Sequence, residues 1–356
     1  MKTYILNKLA YALLTIIGVV TVIFFLFNIL PGDPAKMMLG QNQKEDQLKL
    51  VRQKYGFDQP IYKQYLYYLN DLSPLSFHAN DDLSYTSISK YKATKILSFG
   101  NNQLVIKAPY LRQSFTKQGK LVSEIIAETL PNTFILAVSA ISIAIIFGII
   151  FGIVSALKKD SWIDKIIQIV STLGMSVPSF FSAILFAWLF GFVLHKYTNL
   201  EMTGSLYELD DYGEGIQLQL KNLILPALVL GIRPLAVIIQ LMRNSLLEVM
   251  SLDYIRTAKA KGLSAFKVIK NHALKNALNP VITAISGWFA SMLAGAVFVE
   301  YIFGWNGLGK EIVNALNYQD LPVIMGAVLV IALCFIFLNI LVDVIYSSLD
   351  PRVKLN

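Results

Sequence analysis

The sequence predicts an all-α membrane protein with six transmembrane helices. Its 356 residues are 55% hydrophobic and only 15% charged, and the mean hydropathy is +0.56. These values are too apolar and too poor in charge for a soluble domain of this length. The apolar residues also form long continuous runs rather than an alternating pattern, which favours membrane helices over a membrane β-barrel.

Six runs reach the length of about twenty apolar residues that a helix needs to cross a bilayer. The fourth run contains Arg233, and the other five contain no Asp, Glu, Lys or Arg. The first run is too long for the core of a signal peptide and lacks a small-residue cleavage site, so we expect it to remain as a span. The predicted spans are residues 9–32, 130–157, 166–194, 222–242, 276–299 and 322–342.

The charges of the short loops predict the orientation of these spans. Lys158, Lys159 and Lys165 follow the second span, and seven basic residues lie between 243 and 275, whereas the 195–221 loop is mainly acidic. Because short cytoplasmic loops carry an excess of Lys and Arg, we expect both termini and the loop 244–279 to be cytoplasmic. The predicted domains are a first helix (1–32), an extracytoplasmic inter-span segment (33–129), a transmembrane domain (130–349) and a cytoplasmic tail (350–356).

The inter-span segment has two kinds of pattern. Residues 47–68 carry apolar side chains at helical steps that are interrupted at 58–60, which predicts two short helices on the outer membrane face. Residues 80–102 are polar and rich in Ser and Asn, which predicts a loop or small hairpin. Within 77–108, two tyrosines and three lysines are expected to form an exposed aromatic and basic surface: Tyr85, Tyr91, Lys90, Lys92 and Lys95.

Two features inside the spans are candidates for a transport pathway. Arg233 is a charge at membrane depth, and such residues face a cavity or an interhelical partner. Because it lies between Pro226 and Pro234, we expect the fourth span to be irregular and to expose backbone groups there. Pro178, which follows Gly174, predicts a kink in the third span. A structural pairing of Arg233 with neighbouring carbonyls or a partner subunit remains an equal alternative.

Catalytic and metal chemistry is not indicated by the sequence. The run from Gly304 to Lys310 has the spacing of a phosphate-binding loop, but Glu311 follows where Ser or Thr would bind magnesium. The single cysteine, Cys334, lies in an apolar run, and no histidine falls within a span. The net charge of +8 is explained by basic cytoplasmic loops, without a nucleic-acid partner. We therefore expect no enzyme activity, no metal site and no cofactor in this chain.

The most informative segment is basic and lies between two spans. Residues 248–281 read EVMSLDYIRTAKAKGLSAFKVIKNHALKNALNPV. The pattern predicts a short helix over 253–261, a stop at Gly262 in the left-handed conformation, and a second helix capped by Ser264. Phe266, Ile269, Ala273 and Ala277 recur at helical spacing in that second helix. An ordered pair of basic helices on one side of the membrane predicts a docking site.

Five stretches of the chain resemble the permease subunits of the oligopeptide, dipeptide and nickel group of ABC importers. They are LPGDP (30–34), KYGFDQP (54–60), YIRTAKAKGLS with HALKNALNPVIT in the basic loop, FGWNGLG (303–309) and LVDVIYSSLDPR (341–352). Two features depart from the family pattern. Asn306 stands where the family usually has proline, and residues 77–108 have no counterpart and are interpreted as an insertion.

The resemblance implies the type I ABC importer permease fold and a set of partners. These are a homologous second permease that completes the pathway, two cytoplasmic ATPases that bind ATP and magnesium, and an external solute-binding protein. The ATPase-coupling residues it implies are Asp253, Tyr254, Arg256, Thr257, Ala258, Lys261, Gly262, Phe266 and His272. Contact with the ATPase is expected to depend on packing of Ala258, Gly262 and Phe266, with basic residues at the rim.

The function implied is the import of peptides, with half of the pathway formed by this chain. Import of nickel or another small solute is one alternative. A channel or secondary transporter without an ATPase is another, although such carriers tend to show internal repeats and intramembrane carboxylates, and neither appears in the span centres. A purely structural scaffold would not need the proline-bearing spans.

Overall fold

The computed structural model describes residues 2–29, 34–39, 44–81, 84–117, 119–209 and 215–349. Five helices in this part of the chain are long and apolar enough to cross a membrane, and a bent pair supplies a sixth span. The five are α1 (Lys2–Ile29), α5 (Val122–Leu157), α9 (Lys221–Met250), α13 (Asn279–Phe303) and α15 (Leu321–Leu349). The six predicted spans are thereby confirmed, while the tail 350–356 and the first four residues of LPGDP lie outside the described residues.

The third predicted span is broken rather than merely kinked. It consists of α6 (Trp162–Ser176) and α7 (Ser179–Phe186), which continues as a π-helix over Ala187–Val193. The two halves are bent by 110°. Val177 adopts an extended conformation and Pro178 immediately precedes α7, as expected because proline disfavours the helical conformation in the residue before it. The kink predicted at Pro178 is confirmed.

The prediction of an irregular fourth span is wrong. Helix α9 runs without interruption from Lys221 to Met250 with both prolines inside it. Proline removes one intrahelical hydrogen bond but does not end a helix that its neighbours hold on several sides. Helix α5, which begins at Val122, also contains a proline, Pro131.

The chain divides into two compact units, which are described separately. The first consists mainly of Thr129–Lys310. It contains the spans α5, α6–α7, α9 and α13, a short helix α8 (His195–Thr198) and a hairpin of β4 (Tyr207–Leu209) and β5 (Ile216–Leu218). The second consists of Leu6–Glu128 and Glu311–Leu333.

Two glycines on α5 allow α9, the central helix of the first unit, to pack closely against it. A β-carbon built on Gly148 would lie 2.6 Å from Ile238 Cγ2, and one on Gly152 would lie 2.6 Å from Met242 Cβ. The two glycines are one helical turn apart, so they form a groove for α9, as small residues do at membrane helix interfaces. Around this contact the apolar core extends through α9 and α13.

The glycine-rich turn after α13 encloses a buried carboxylate. Glu300 has no exposed surface, and its Oε2 accepts hydrogen bonds from the N–H groups of Gly309 at 2.7 Å and Lys310 at 3.3 Å. A β-carbon on Gly307 would lie 2.3 Å from the same carboxylate. The FGWNGLG run is therefore a cap that joins α13 to helix α14 (Leu308–Asn317), which explains its glycines without a phosphate.

The second unit contains the helices and the sheet of the inter-span segment. The two predicted helices are confirmed as α3 (Glu45–Tyr55) and α4 (Ile61–Leu72), after a short α2 (Pro34–Leu39). Beyond them β1 (Leu75–Ala79), β3 (Asn102–Lys107) and β2 (Ala93–Phe99) form an antiparallel sheet in that order. The hairpin was one of two predictions for this region, but the third strand was not predicted. In the core of this unit, Phe24 of α1 stacks on Tyr68 of α4.

Asp71 holds the inter-span segment together. It is 1% exposed, and its carboxylate accepts hydrogen bonds from Tyr91 Oη at 2.7 Å, Tyr85 Oη at 3.1 Å and Arg112 Nε at 2.9 Å. Burial and the nearby carboxylate both raise the pKa of Tyr91 above its usual value, so the phenol stays protonated and donates. The expectation that Tyr85 and Tyr91 form an exposed surface is therefore wrong, because both hydroxyls turn inward to satisfy a buried charge.

We expect Gly152→Ala to reduce the thermal stability of the protein. The added methyl group would meet Met242 Cβ at 2.6 Å and the Ile239 carbonyl at 2.9 Å, so α5 and α9 would have to separate. Gly287→Ala is the matched control, since nothing lies within 4 Å of a β-carbon there, and alanine improves helix propensity by up to about 1 kcal/mol. Melting temperatures of the two purified variants check this, and equal temperatures would contradict close packing at Gly152.

We expect Asp71→Asn to destabilise the inter-span segment by about 3 kcal/mol, because the Arg112 guanidinium would lose its buried countercharge. Hydrogen exchange of the β3 amides measures the local opening free energy. Asp58→Asn changes an exposed carboxylate nearby and should leave exchange unaltered. Unchanged protection in Asp71→Asn would show that the tyrosines and the sheet hold the segment without this charge.

Candidate docking surface and pathway cavity

The basic loop is anchored to the first unit by the apolar side of its first helix. Helix α10 (Asp253–Ala260) buries Ile255 and Ala258 in the core that contains Met242 and Leu246 of α9. These two residues are three apart, so they lie on one face of the helix. The opposite face is left at the surface. The helix is thus part of the apolar core of the first unit rather than a suspended loop.

Gly262 ends this first helix as predicted. Its φ is +78°, its N–H donates to the Lys259 carbonyl at 2.9 Å, and no atom lies within 4 Å of a β-carbon built there. A left-handed residue reverses the chain after a helix, and glycine adopts this conformation at least cost. Ser264 occupies the predicted position before the next helix but makes no side-chain capping bond.

The second helix is not regular. It consists of α11 (Ala265–Val268), a π-helical turn over Ile269–Ala273 and α12 (Leu274–Ala277). Val268 and Ala273 are five residues apart and both fully buried. A π-helical turn places such residues on the same side, whereas a regular helix would separate them. Of the four residues predicted to recur at helical spacing, Ala273 and Ala277 are buried and Phe266 is exposed, and Val268, which was not among them, is buried as well.

Tyr254 joins the two helices. Its hydroxyl accepts a hydrogen bond from Asn276 Nδ2 at 2.8 Å and donates to the His272 carbonyl at 3.5 Å. Asn276 was not among the predicted site residues, because an asparagine at the start of a span gives no signal by itself. The pair fixes the angle between α10 and α12.

The structure brings all but one of the nine predicted coupling residues to the surface of this two-helix segment. Phe266 is 71% exposed and lies 5.9 Å from Lys270 Nζ. Asp253 and Arg256 form an exposed ion pair. The exposed members are Asp253, Tyr254, Arg256, Thr257, Lys261, Gly262, Phe266 and His272.

Ala258 is the exception. It is 6% exposed and belongs to the apolar core, so the interpretation that it offers a packing surface to a partner is corrected. A small residue fits there because α10 packs against the second helix of the segment, which itself lies on α9. Ala258 holds the docking surface in place and is not part of it.

Arg233 lies near the middle of α9 and lines a small cavity of about 80 Å³ within the first unit. Other parts of the wall come from α7 and α13, namely Ser179, Ser182, Trp288, Ser291 and Gly295. In the part of the chain that the structure describes, Arg233 makes no hydrogen bond or ion pair. Pro178 is exposed at the break before α7, next to Val177 and Ser179 in the cavity wall. The structure therefore brings the two pathway candidates to the same region.

A buried ion pair that was not predicted from the sequence joins α6 to α9. Asp164 at the start of α6 accepts two hydrogen bonds from Arg243 of α9, Nε at 2.8 Å and Nη2 at 2.7 Å. The carboxylate is almost fully buried and also accepts from Ser155 and from the N–H of Asp160. Arg243 was predicted only to be one of the basic residues after the fourth span, because a pair separated by 79 residues has no local signal.

The fold and these sites define an integral membrane permease, a transport protein rather than an enzyme. The sequence matches the family described as "Binding-protein-dependent transport system inner membrane component" over residues 148–355, and its N-terminal companion family over 1–82. The chain belongs to this family of inner-membrane transport components. Members work in transporter complexes with a binding protein and an ATPase, and the chain is accordingly a multi-pass inner-membrane protein.

Relatives cover almost the entire chain. The dipeptide transport system permease protein DppB of Alkalihalophilus pseudofirmus is 34% identical over 99% of this chain and 100% of its own length. The DppB of Bacillus subtilis is 32% identical over 100% of this chain and 99% of its own. The di/tripeptide permease DppB of Pseudomonas aeruginosa is 32% identical over 99% of both chains.

A solved structure supports the fold. A chain of the MetNI methionine ABC transporter, in an inward-facing conformation, matches with a TM-score of 0.50 and 13% identity. The match covers 64% of this chain and 97% of that chain. The likeness shows that the fold is that of an ABC importer permease, with additional residues in this chain.

We expect Gly262→Arg to abolish ATP-driven transport while the protein still assembles. The left-handed backbone strains any residue with a β-carbon, and a long cation would project from the exposed turn. Gly262→Asn is the matched control, because asparagine adopts this conformation more readily and is short. Uptake at equal subunit levels in membranes checks this, and full uptake by the arginine variant would contradict a docking role for the turn.

Proposed function

We propose that this chain forms half of the translocation pathway of an ATP-driven importer of peptides. The substrate class rests on the DppB relatives, which are named for dipeptides and for di- and tripeptides. A homologous second permease would complete the pathway, and a solute-binding protein would deliver the peptide. Two ATPases would hold ATP and magnesium, so this chain needs no cofactor of its own.

The observation that carries the proposal is the rigid two-helix segment with an exposed outer face. Its inner residues Ile255, Val268 and Ala273 are fully buried, so the segment moves with α9. Its outer face presents Phe266 with lysines around it. A large exposed aromatic residue with a basic rim is typical of a protein interface.

Continuity of α9 supplies a physical route for coupling. The helix extends from the cavity at Arg233 to the apolar core shared with α10, and both prolines are accommodated without a break. Displacement of the docking helices by a closing ATPase pair would therefore tilt α9 as a rigid body. Such a movement changes the side to which the pathway opens, which is the basis of alternating access.

The loop charges support an orientation in which the docking segment and both termini are cytoplasmic. Lys158 and Lys159 lie in the loop between α5 and α6, and Lys165 lies in the first turn of α6. They are at the same end of these spans as the segment after α9, because the intervening helices cross the membrane in alternating directions. The excess of positive charge in both loops agrees with a cytoplasmic position. The inter-span segment would then face the binding protein.

We expect Phe266→Asp to lower ATP-dependent uptake of a labelled dipeptide by at least tenfold. The change replaces an exposed aromatic anchor by a charge and cannot disturb the core, because the side chain is 71% exposed; aromatic anchors of this kind contribute about 2 kcal/mol or more to an interface. Tyr207→Asp alters another exposed aromatic residue, in the β4–β5 hairpin, and should have no effect.

Co-purification of the ATPases shows whether a loss of uptake in Phe266→Asp is caused by a loss of docking. Loss of ATPase from the complex in Phe266→Asp alone supports docking at this face. Full ATPase recovery and full uptake would overturn it. Uptake that is independent of ATP in the unaltered transporter would instead favour a secondary transporter.

A further inference from the structure

Arg233 is exposed and lines the cavity, and its guanidinium pairs with none of the described residues. A guanidinium near the middle of a membrane helix is costly unless it reaches water, a cavity or an opposite charge. In the described residues no carboxylate lies within ion-pair distance of Arg233, whereas Arg243 on the same helix has Asp164. The charge of Arg233 is therefore available to a ligand.

The hydroxyl groups around Arg233 are available as well. Elsewhere on these helices Ser171, Ser176, Thr283 and Ser286 donate to the carbonyl four residues earlier, which is the usual way to satisfy a hydroxyl inside a membrane helix. Three serines in the cavity wall make no side-chain hydrogen bond to any described residue: Ser179, Ser182 and Ser291. They come from two different helices and add neutral donors beside the cation.

A cation surrounded by free hydroxyl donors is suited to an anion. Guanidinium binds carboxylates through two parallel hydrogen bonds, and such charge-assisted bonds are about twice as strong as neutral ones. The volume of about 80 Å³ holds several water molecules, since about 10–15 Å³ of such space suffices for one. It is therefore large enough to admit a carboxylate group.

We propose that Arg233, with Ser179, Ser182 and Ser291, binds the carboxylate of the transported peptide as it crosses the membrane. The proposal rests on the peptide-import function above. Trp288 forms an apolar wall beside the site, so the rest of the peptide would remain in the wider pathway. The carboxylate is expected to be that of the peptide's carboxyl terminus, which every unmodified peptide carries whatever its side chains.

The test measures peptide binding to the assembled transporter, in nanodiscs and without the binding protein. Three labelled probes are compared: alanyl-alanine, its carboxyl-terminal amide, and the amide of alanyl-glutamate, which retains only a side-chain carboxylate. Arg233→Gln should weaken binding of alanyl-alanine about tenfold or more, while binding of its amide stays unchanged. Arg233→Lys should retain part of the affinity. Lys221→Gln, which removes an exposed cation from the same helix, is the control.

A second variant keeps the test decisive if Arg233→Gln fails to assemble. Ser291→Ala removes a hydroxyl that is exposed on α13 and bonds to no described residue, so folding should be unaffected and alanyl-alanine should bind severalfold more weakly. Equal binding of acid and amide by the unaltered transporter, or unchanged binding in both Arg233→Gln and Ser291→Ala, would overturn the site. Preference for the alanyl-glutamate amide over alanyl-alanine would assign it to acidic side chains and overturn the assignment to the carboxyl terminus.

Uptake measurements distinguish this failure from failure of the proposed function. If the complete transporter, with its binding protein, imports alanyl-alanine at the expense of ATP while the variants bind as well as the unaltered protein, only the carboxylate site is rejected. If it imports none of the three probes, the peptide-import function itself is rejected, and the carboxylate site with it.

Discussion

The close contact between α9 and the glycines of α5 is the constraint on which the first unit depends. Gly148 and Gly152 let Ile238 and Met242 approach to a distance that a side chain would forbid. Because α9 is held in this groove, it remains one helix despite two internal prolines. A single rigid helix then carries Arg233 in its middle and supports α10 at its end. The cavity and the candidate docking surface are in this sense connected by one element.

Buried carboxylates organise the ends of the spans and the segments that connect them. Glu300 accepts hydrogen bonds from the N–H groups at the start of α14. Asp71 accepts hydrogen bonds from two tyrosines and Arg112, and Asp164 accepts two from Arg243. At Asp71 and Asp164 fixed donors satisfy the buried charge, as burial requires, whereas Oε1 of Glu300 has no hydrogen-bond partner among the described residues. Each of these residues consequently specifies one local geometry. Asp320 does the same in the second unit, where it accepts the N–H groups of Phe115 and Thr116.

In the two-helix segment, the sequence predicts which residues are present at the surface, and packing decides which of them turn inward. The basic residues, Gly262 and Phe266 were recognisable from their order in the chain, and the structure leaves them at the surface. The family resemblance assigned Ala258 to the same surface, yet it packs inward. The difference arises because a helix turns by about 100° per residue, and the inward side is chosen by the partner helix, which local sequence does not reveal. The π-helical turn was not predicted for the same reason, since packing inside the core buries both Val268 and Ala273.

Local sequence determined the six spans, the break at Pro178, the two helices of the inter-span segment and the left-handed stop at Gly262. Each of these follows from interactions within a few residues or from the thickness of the bilayer, which acts on every chain alike. Tertiary structure alone decided the continuity of α9, the strand β1 that completes the sheet, the inward turn of Tyr85 and Tyr91, and the burial of Glu300. These features depend on partners tens or hundreds of residues away, as in the bonds from the 114–116 loop to Asp320. A contact at that separation leaves no periodic signal in the sequence, because its free energy is gained only when the intervening chain has already folded.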